Sequence, residues 1–412
     1  MKKASIISIG NEVLSGQTID TNAAYLSKKL LSIGIPVASS YTVADEIDAI
    51  VRALDLASTD AELVLVTGGL GPTDDDLTRQ GFAKFLGAEL QFQAELLEKI
   101  QGFFARRNLQ MPEKNRIQAY IPAGAKALAN NLGTAPGIMA QIKGKLLVAL
   151  PGVPSEMKKM FAELVVPELQ QFAKSQAVVA RKLRCFGAGE STIAELLGPI
   201  MQRDRNPLIN CTVEFGVITL HIIATAEDKN KAQQMAKNDE ESLRKQLGDL
   251  IYGTGDQSLA EVVGEELVRE GKTLALAESC TGGTLARLLT DISGASRYFT
   301  YGWVTYSNSA KTSELDVPAD LIERYGAVSE EVARAMAQGA RNKAGTDFAI
   351  STTGIAGPTG ATEQKPVGLV YICVDSDEGC ELKSCLFSHG REFIRLRAAQ
   401  TALNMLRLKL KN

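Results

Sequence analysis

The chain is 412 residues long, with a net charge of -3, a hydrophobic fraction of 45% and a charged fraction of 23%. That length exceeds what one hydrophobic core organises, so two or three domains are expected. The charge balance lacks the basic excess that binding a phosphate backbone demands, which argues against a nucleic-acid partner. No apolar run approaches the roughly 20 residues that span a bilayer. Met1-Lys2-Lys3-Ala4 leads into a strand-like run instead of a signal peptide, so no membrane partner and a cytoplasmic location are expected.

Residues 4 to 9 form an apolar strand run, followed by a Gly10-Asn11-Glu12 turn and a helix from Thr21 to Ser32, capped by Asp20 and stopped by Gly34. A strand at Val37 to Tyr41, a helix at Asp45 to Ala57 and a strand at Leu63 to Val66 complete a βαβαβ unit, which predicts a doubly wound α/β domain with a parallel sheet. The loop after the third strand, Thr67-Gly68-Gly69-Leu70-Gly71-Pro72-Thr73-Asp74-Asp75-Asp76, falls at the carboxyl end of the sheet, where such folds bind ligands. No element is assigned between 77 and 144. A strand at Lys145 to Leu150 and a helix capped by Ser155 and running to about Gln171 close this domain, 1 to 171.

Residues 172 to 253 read as a small α+β module. Gly253-Thr254-Gly255-Asp256 then marks a boundary, with Ser258 and Glu261 offering a capping box. A second α/β sandwich, 256 to 412, alternates helix 258–270, strand 273–278, helix 281–290, strand 298–306, helices near 319–325 and 329–344, strands 347–352, 368–375 and 381–387, and a terminal helix from Arg391.

Six cysteines, at 185, 211, 280, 373, 380 and 385, show no C-x-x-C pair and read mostly as small buried hydrophobes. Two histidines, His221 and His389, leave little material for a His-built metal site or a Ser-His-Asp triad. Ala277-Glu278-Ser279-Cys280-Thr281-Gly282-Gly283 places a hydroxyl and a thiol where an apolar strand meets a glycine-rich helix start. There, free N–H groups at Thr281, Gly282 and Gly283 can hold an oxyanion or phosphate; a plain helix cap beside a buried cysteine is the alternative.

A hydroxyl nucleophile needs a base. Lys311, leaving a strand end near Tyr306 and Asn308, is the substitute for histidine if burial lowers its pKa, against the alternative of a solvated surface lysine. Thr353-Gly354-Ile355-Ala356-Gly357-Pro358-Thr359-Gly360 suits close backbone approach to a phosphate, or simply a turn. In the first domain, Asp75 and Asp76 with Glu12 and Asp20 could hold a hard divalent cation bridging a pyrophosphate, or merely form an acidic helix start. Ser155-Glu156-Met157-Lys158 matches S-x-x-K but sits on a capped surface helix and is set aside.

The runs Ala277 to Gly283, Val304-Thr305-Tyr306-Ser307-Asn308, Gly326-Ala327-Val328-Ser329, Gly354-Ile355-Ala356-Gly357-Pro358 and Lys365-Pro366-Val367-Gly368 together resemble the CinA family. The resemblance implies a C-terminal nicotinamide mononucleotide deamidase of the Ser/Lys type, serving pyridine-nucleotide salvage and NAD recycling without a cofactor. Ser279 is then the nucleophile, Lys311 the base, Tyr306 a hydroxyl assisting the relay and Arg391 a residue near the substrate, although His389-Gly390 replaces a common Gly-Asp. Asn308, Gly354, Ala356, Gly357 and the 281 to 283 loop are expected around the substrate.

Gly10-Asn11-Glu12, Asp20-Thr21-Asn22 and the Thr67 to Asp76 loop look like the molybdopterin-binding fold, which in this family implies an ADP-ribose pyrophosphatase dependent on Mg, Mn or Co, with Asn22, Gly68 and Gly69 at the substrate. Asn115-Arg116-Ile117-Gln118 stands where Asn-Arg-Lys-Gln is expected, so one positive charge is missing. A homodimer is expected. The rival readings are Cys280 as nucleophile and a binding module in which both glycine loops only bind a pterin or nucleotide.

Overall fold

The computed structural model describes residues 2–172 and 177–411; residues 173–176, the start of the middle module, lie outside the described residues. Contacts divide the chain into two compact units, Met1–Val179 with Ala224–Gln234, and Ala180–Ile223 with Met235–Asn412.

In the first unit the elements run β1 Ala4–Ile9, α1 Asn11–Leu14, α2 Thr21–Ser32, β2 Val37–Val43, α3 Ile47–Asp60, β3 Leu63–Thr67, α4 Thr78–Leu86, β4 Leu90–Phe92, α5 Ala94–Ala105, β5 Tyr120–Pro122, β6 Lys126–Leu128, β7 Gly137–Ile142, β8 Lys145–Leu150, α6 Pro154–Met160 and α7 Val166–Phe172. The six-stranded sheet has the order β2-β1-β3-β8-β7-β6. Its first four strands are parallel; β7 runs antiparallel to β8 and to β6, so the sheet is mixed where the βαβαβ reading predicts a parallel one.

Alternation along the buried strands divides the core. Ile7, Ile9, Val64 and Val66 face α3, α4 and α5, while Ile6, Leu63 and Leu65 face α2 and α6. Asp20 caps α2 by accepting from the Ala23 amide. Ser155 does not cap α6: Val153 precedes the helix, Pro154 opens it, and a π-type turn at Phe161–Val165 separates it from α7. Proline at the first helical position needs no N–H partner, so the helix opens on Pro154 and the cap position falls on Val153, two residues before Ser155.

The chain continues with β9 Ala177–Cys185, α8 Glu190–Leu197, β10 Leu208–Glu214, β11 Val217–Ala226, α9 Lys229–Leu247 and β12 Ile251–Thr254; the four strands form a sheet of order β10-β11-β9-β12. Then follow α10 Leu259–Glu270, β13 Leu274–Glu278, α11 Thr284–Thr290, β14 Phe299–Val304, α12 Asn308–Leu315, α13 Ala319–Tyr325, α14 Glu330–Ala344, β15 Phe348–Gly354, β16 Leu369–Ser376, β17 Gly379–Leu386 and α15 Arg391–Lys409. Here the order is β14-β13-β15-β16-β17, with the first three strands parallel and the last two antiparallel. One face packs α10, α11 and α15, the other α12, α13 and α14. Cys373 and Cys380 form a disulfide between β16 and β17, which the cysteine spacing does not announce; Cys185, Cys211, Cys280 and Cys385 are free. Among the described residues no helix is long and apolar enough to cross a membrane.

Helix α12 is held from below by a glycine. A Cβ on Gly339 of α14 would overlap the carbonyl of Leu315 at the end of α12. Backbone cannot yield as a flexible side chain can. Gly339→Ala should therefore destabilise this unit by about 1 to 3 kcal/mol in thermal or urea unfolding, whereas Gly102→Ala, which meets no neighbour, should not.

Candidate active sites

Strand β13 is buried throughout and ends on Glu278, so Ser279 emerges at the carboxyl edge of the sheet, its amide fixed to the Thr352 carbonyl at 2.9 Å. The chain then turns through Cys280 to Gly283 into α11. Both carboxylate oxygens of the buried Glu278 accept the first helix amides, Leu285 at 3.1 Å and Ala286 at 2.7 Å. That carboxylate answers the helix dipole and has no amine as partner.

Lys311 is not on a strand end. It lies in the first turn of α12, a helix the sequence reading misses, which Ser307 caps by accepting from the Ala310 amide. Its side chain is 1% exposed, and Nζ stands 3.0 Å from Ser279 Oγ while donating to the Thr305 carbonyl at 2.8 Å. Burial lowers the lysine pKa. Cys280 itself is buried, and desolvation pushes its thiol up to about 12, so thiolate is scarce at neutral pH.

Tyr306, which is exposed, does not bond to Lys311. Its hydroxyl accepts from Arg391 at 2.7 Å, and the same guanidinium donates to the Gly357 carbonyl at 2.7 Å. Arg395, one helical turn on and absent from the sequence reading, donates to the carbonyls of Thr281 at 2.9 Å and Gly282 at 3.2 Å. The spacing of four from Arg391 is the signal that could have found it.

Gly282 and Gly283 adopt left-handed φ of 57° and 86°. With Thr284, Arg287, Arg391, Glu392 and Arg395 they line a cleft of about 560 Å³. Among the described residues the amides of Cys280, Thr281 and Gly283 donate to no carbonyl, whereas Gly282 donates to Ser279. The Thr281 hydroxyl is internal, 2.6 Å from that of Thr352.

The structure does not bring the other expected residues to this cleft. Asn308 opens α12 beside a separate depression with Ser309 and Thr312. Ala356 is part of the core. Gly354 lacks a side chain because a Cβ would meet the Leu369 carbonyl at 2.6 Å, and at Gly357 it would meet Val367 at 2.6 Å.

In the first unit, Glu12, Asp20, Asn22, Gly68, Gly69, Asp75 and Asp76 all line one cavity of about 520 Å³. A Cβ on Gly68 or Gly69 would overlap the Ile9 carbonyl or the Thr78 hydroxyl. Buried Arg79 holds the loop by donating to Leu70 and Gly71 carbonyls at 2.7 Å each, and burial lowers its pKa to about 10. Gln118 adds a bond to Leu70 at 3.2 Å and is itself braced by Asn115; Ile117 is half-buried.

Asp20 caps α2 and accepts from Ser8, and Asp76 accepts the amides of Gly71 and Thr73. Asn22 donates to Thr67 and Gly152, leaving its carbonyl oxygen buried without a partner. Asp45, which the sequence reading takes only as the start of a helix, has its carboxyl raised by desolvation and further by Glu12, Asp75 and Asp76. These hard oxygen donors suit a divalent cation in kind. Among the described residues no three of them converge on one point.

Three family profiles match the chain: "CinA C-terminal domain" over 256–410, "Probable molybdopterin binding domain" over 5–171, and "Damage-inducible protein CinA KH domain" over 180–253. A putative competence-damage inducible protein of Caldicellulosiruptor saccharolyticus is 42% identical over 409 residues, 99% of each chain. A CinA-like protein of Dictyoglomus thermophilum is 42% identical over 410 residues, all of both chains. The crystal structure of the protein CinA of Thermoplasma acidophilum aligns at 36% identity over 40% of this chain and 97% of its own, with a TM-score of 0.38.

A neutral amine accepts the hydroxyl proton, so Ser279 should gain reactivity as pH rises through the lowered pKa of Lys311. Labelling by a fluorophosphonate should follow a limb that rises with pH and is centred below the ordinary lysine value. In Lys311→Met it should be flat and at least about a hundredfold slower.

Proposed function

We propose for this chain, which belongs to the CinA-like family of competence-damage-inducible proteins, hydrolysis of the carboxamide of nicotinamide mononucleotide to nicotinic acid mononucleotide and ammonia. The observation that carries the reading is Lys311 Nζ at 3.0 Å from Ser279 Oγ, buried and, among the described residues, without a carboxylate partner. Binding a nucleotide alone requires neither a nucleophile nor a discharged amine.

Lys311 takes the Ser279 proton as Oγ bonds to the amide carbon, and the carbonyl becomes an oxyanion. Uncommitted amides of the 280–283 turn donate to it. Lys311 returns the proton to the departing nitrogen, and ammonia leaves an acyl-serine. The same lysine takes a proton from water as its oxygen bonds to the acyl carbon, then gives that proton to Ser279 Oγ as the ester bond breaks, which releases the acid and restores the neutral amine. Arg287, Arg391 and Arg395 give the neighbouring cleft the charge to hold the 5'-phosphate. Tyr306 acts through Arg391, whose fork it fixes, and not as a direct relay.

For the first unit we infer a site for a nucleotide diphosphate, with ADP-ribose hydrolysis as the activity and pterin or nucleotide binding without catalysis as the alternative. The glycine loop carries this reading: with its carbonyls held from behind by Arg79 and Gln118, the Gly69 and Leu70 amides donate to no carbonyl among the described residues. Pyrophosphate cleavage would use a divalent ion such as Mg, Mn or Co, and because the carboxylates do not converge no step is assigned to it.

Ammonia release from nicotinamide mononucleotide should persist in EDTA, fall at least about a thousandfold in Ser279→Ala, and survive largely intact in Cys280→Ala. Full activity in Ser279→Ala, or loss confined to Cys280→Ala, would remove the Ser/Lys assignment. ADP-ribose, titrated with and without Mg in calorimetry and in a phosphate-release assay coupled to a phosphatase, should bind in the first unit. Asp75→Asn should change the metal dependence, and binding without any turnover would leave the binding-module alternative.

A further inference from the structure

Helix α15 carries Arg391 and Arg395 on one face and Phe393 and Arg397 on another, as the helical period requires. The first pair reaches the catalytic turn and Tyr306. The second pair meets the middle module. There β10 and β11 are joined by a two-residue hairpin, Glu214 pairing with Val217, whose central residues Phe215 and Gly216 have φ of 46° and 76°.

A two-residue hairpin of this hand favours Asn-Gly, and a bulky aromatic residue rarely adopts left-handed φ. Phe215 does so while 47% exposed, and its ring lies 6.4 Å from that of Phe393. His389, also left-handed at φ 80°, sets its ring 4.8 Å from Phe393. Gly216 leaves room for the Arg397 guanidinium, which lies 4.6 Å over Phe186 of the middle module. Two non-glycine residues in a disfavoured conformation therefore converge on one ring, immediately beside the two arginines of the site.

We propose that Phe215 is a positioning residue for the amidase site: the hairpin tip of the middle module braces Phe393 and so holds Arg391 and Arg395 against the catalytic turn. The inference rests on the deamidase reading for its activity readout, but its geometry is independent of the substrate. Phe215 touches no reacting atom and acts through α15. Loosening the first turn of α15 frees the Thr281 and Gly282 carbonyls and with them the orientation of the amides that face an oxyanion, a loss felt in the chemical step more than in binding.

The test compares wild type with Phe215→Gly, which keeps left-handed φ accessible while deleting the ring, with Phe215→Trp, which restores an aromatic, and with Phe393→Leu, which removes the ring from the helix side. In the full chain, well below the melting temperature, kcat and KM for nicotinamide mononucleotide are measured together with hydrogen exchange of segments 280–285 and 391–397. Phe215→Gly and Phe393→Leu should lower kcat about tenfold with KM changed less than about twofold, and both segments should exchange faster; Phe215→Trp should recover most of kcat. Unchanged kcat with unchanged exchange, or a lowered melting temperature alone, overturns the proposal. If wild type releases no ammonia but the two variants still quicken exchange at 280–285, the deamidase reading fails and the brace stands.

Discussion

A lysine amine buried against a serine hydroxyl, with no carboxylate to keep it charged, is the constraint from which the second unit is built. Water would hold Lys311 protonated, so the fold must exclude water and also keep anions away. Glu278, next to Ser279 in the chain, is such an anion. Its carboxylate is directed instead into the first turn of α11, where two amides occupy both oxygens. The Thr305 carbonyl gives the amine one neutral acceptor, which orients Nζ without fixing its charge. The close seat of α12 on Gly339 then sets how far Nζ reaches.

Glycine-rich loops look alike in a sequence and are glycine-rich here for different reasons. At Gly68 and Gly69 a side chain would strike the end of β1 or Thr78, so absence of Cβ lets the loop fold under itself and leave amides toward the cavity. At Gly354 and Gly357 the conflict is with β16 and Val367, a packing demand that says nothing of a ligand. Composition alone does not separate these cases, because the deciding contact comes from a strand distant in the chain.

What could be read from the residues follows the same division. Ser279 stood out because a buried apolar strand running into a Gly-Gly turn is a local pattern, and local patterns fold locally. Lys311 stood out only as a candidate, since α12, Asn308–Leu315, is mostly polar and shows no apolar stripe to mark it as a helix. Residues 77 to 144 were opaque because short strands such as β4, β5 and β6 are defined by their partners. The Cys373–Cys380 bond likewise depends on the hairpin register that aligns β16 with β17. Arg79, whose bonds are all to loop carbonyls, leaves no sequence signature beyond its charge, and Arg395 leaves only its spacing of four from Arg391.

The small net charge of the chain hides two sites of opposite sign. The cavity of the first unit gathers Glu12, Asp45, Asp75 and Asp76; desolvation raises Asp45, and the other three carboxylates raise it further. The cleft beside Ser279 gathers three arginines against one glutamate. A phosphate monoester can enter the second directly, drawn by a focused positive field. A diphosphate entering the first meets carboxylates at close range, with the loop amides as its donors. The two substrates proposed for this chain therefore meet fields of opposite sign, and an average over 412 residues conceals that difference.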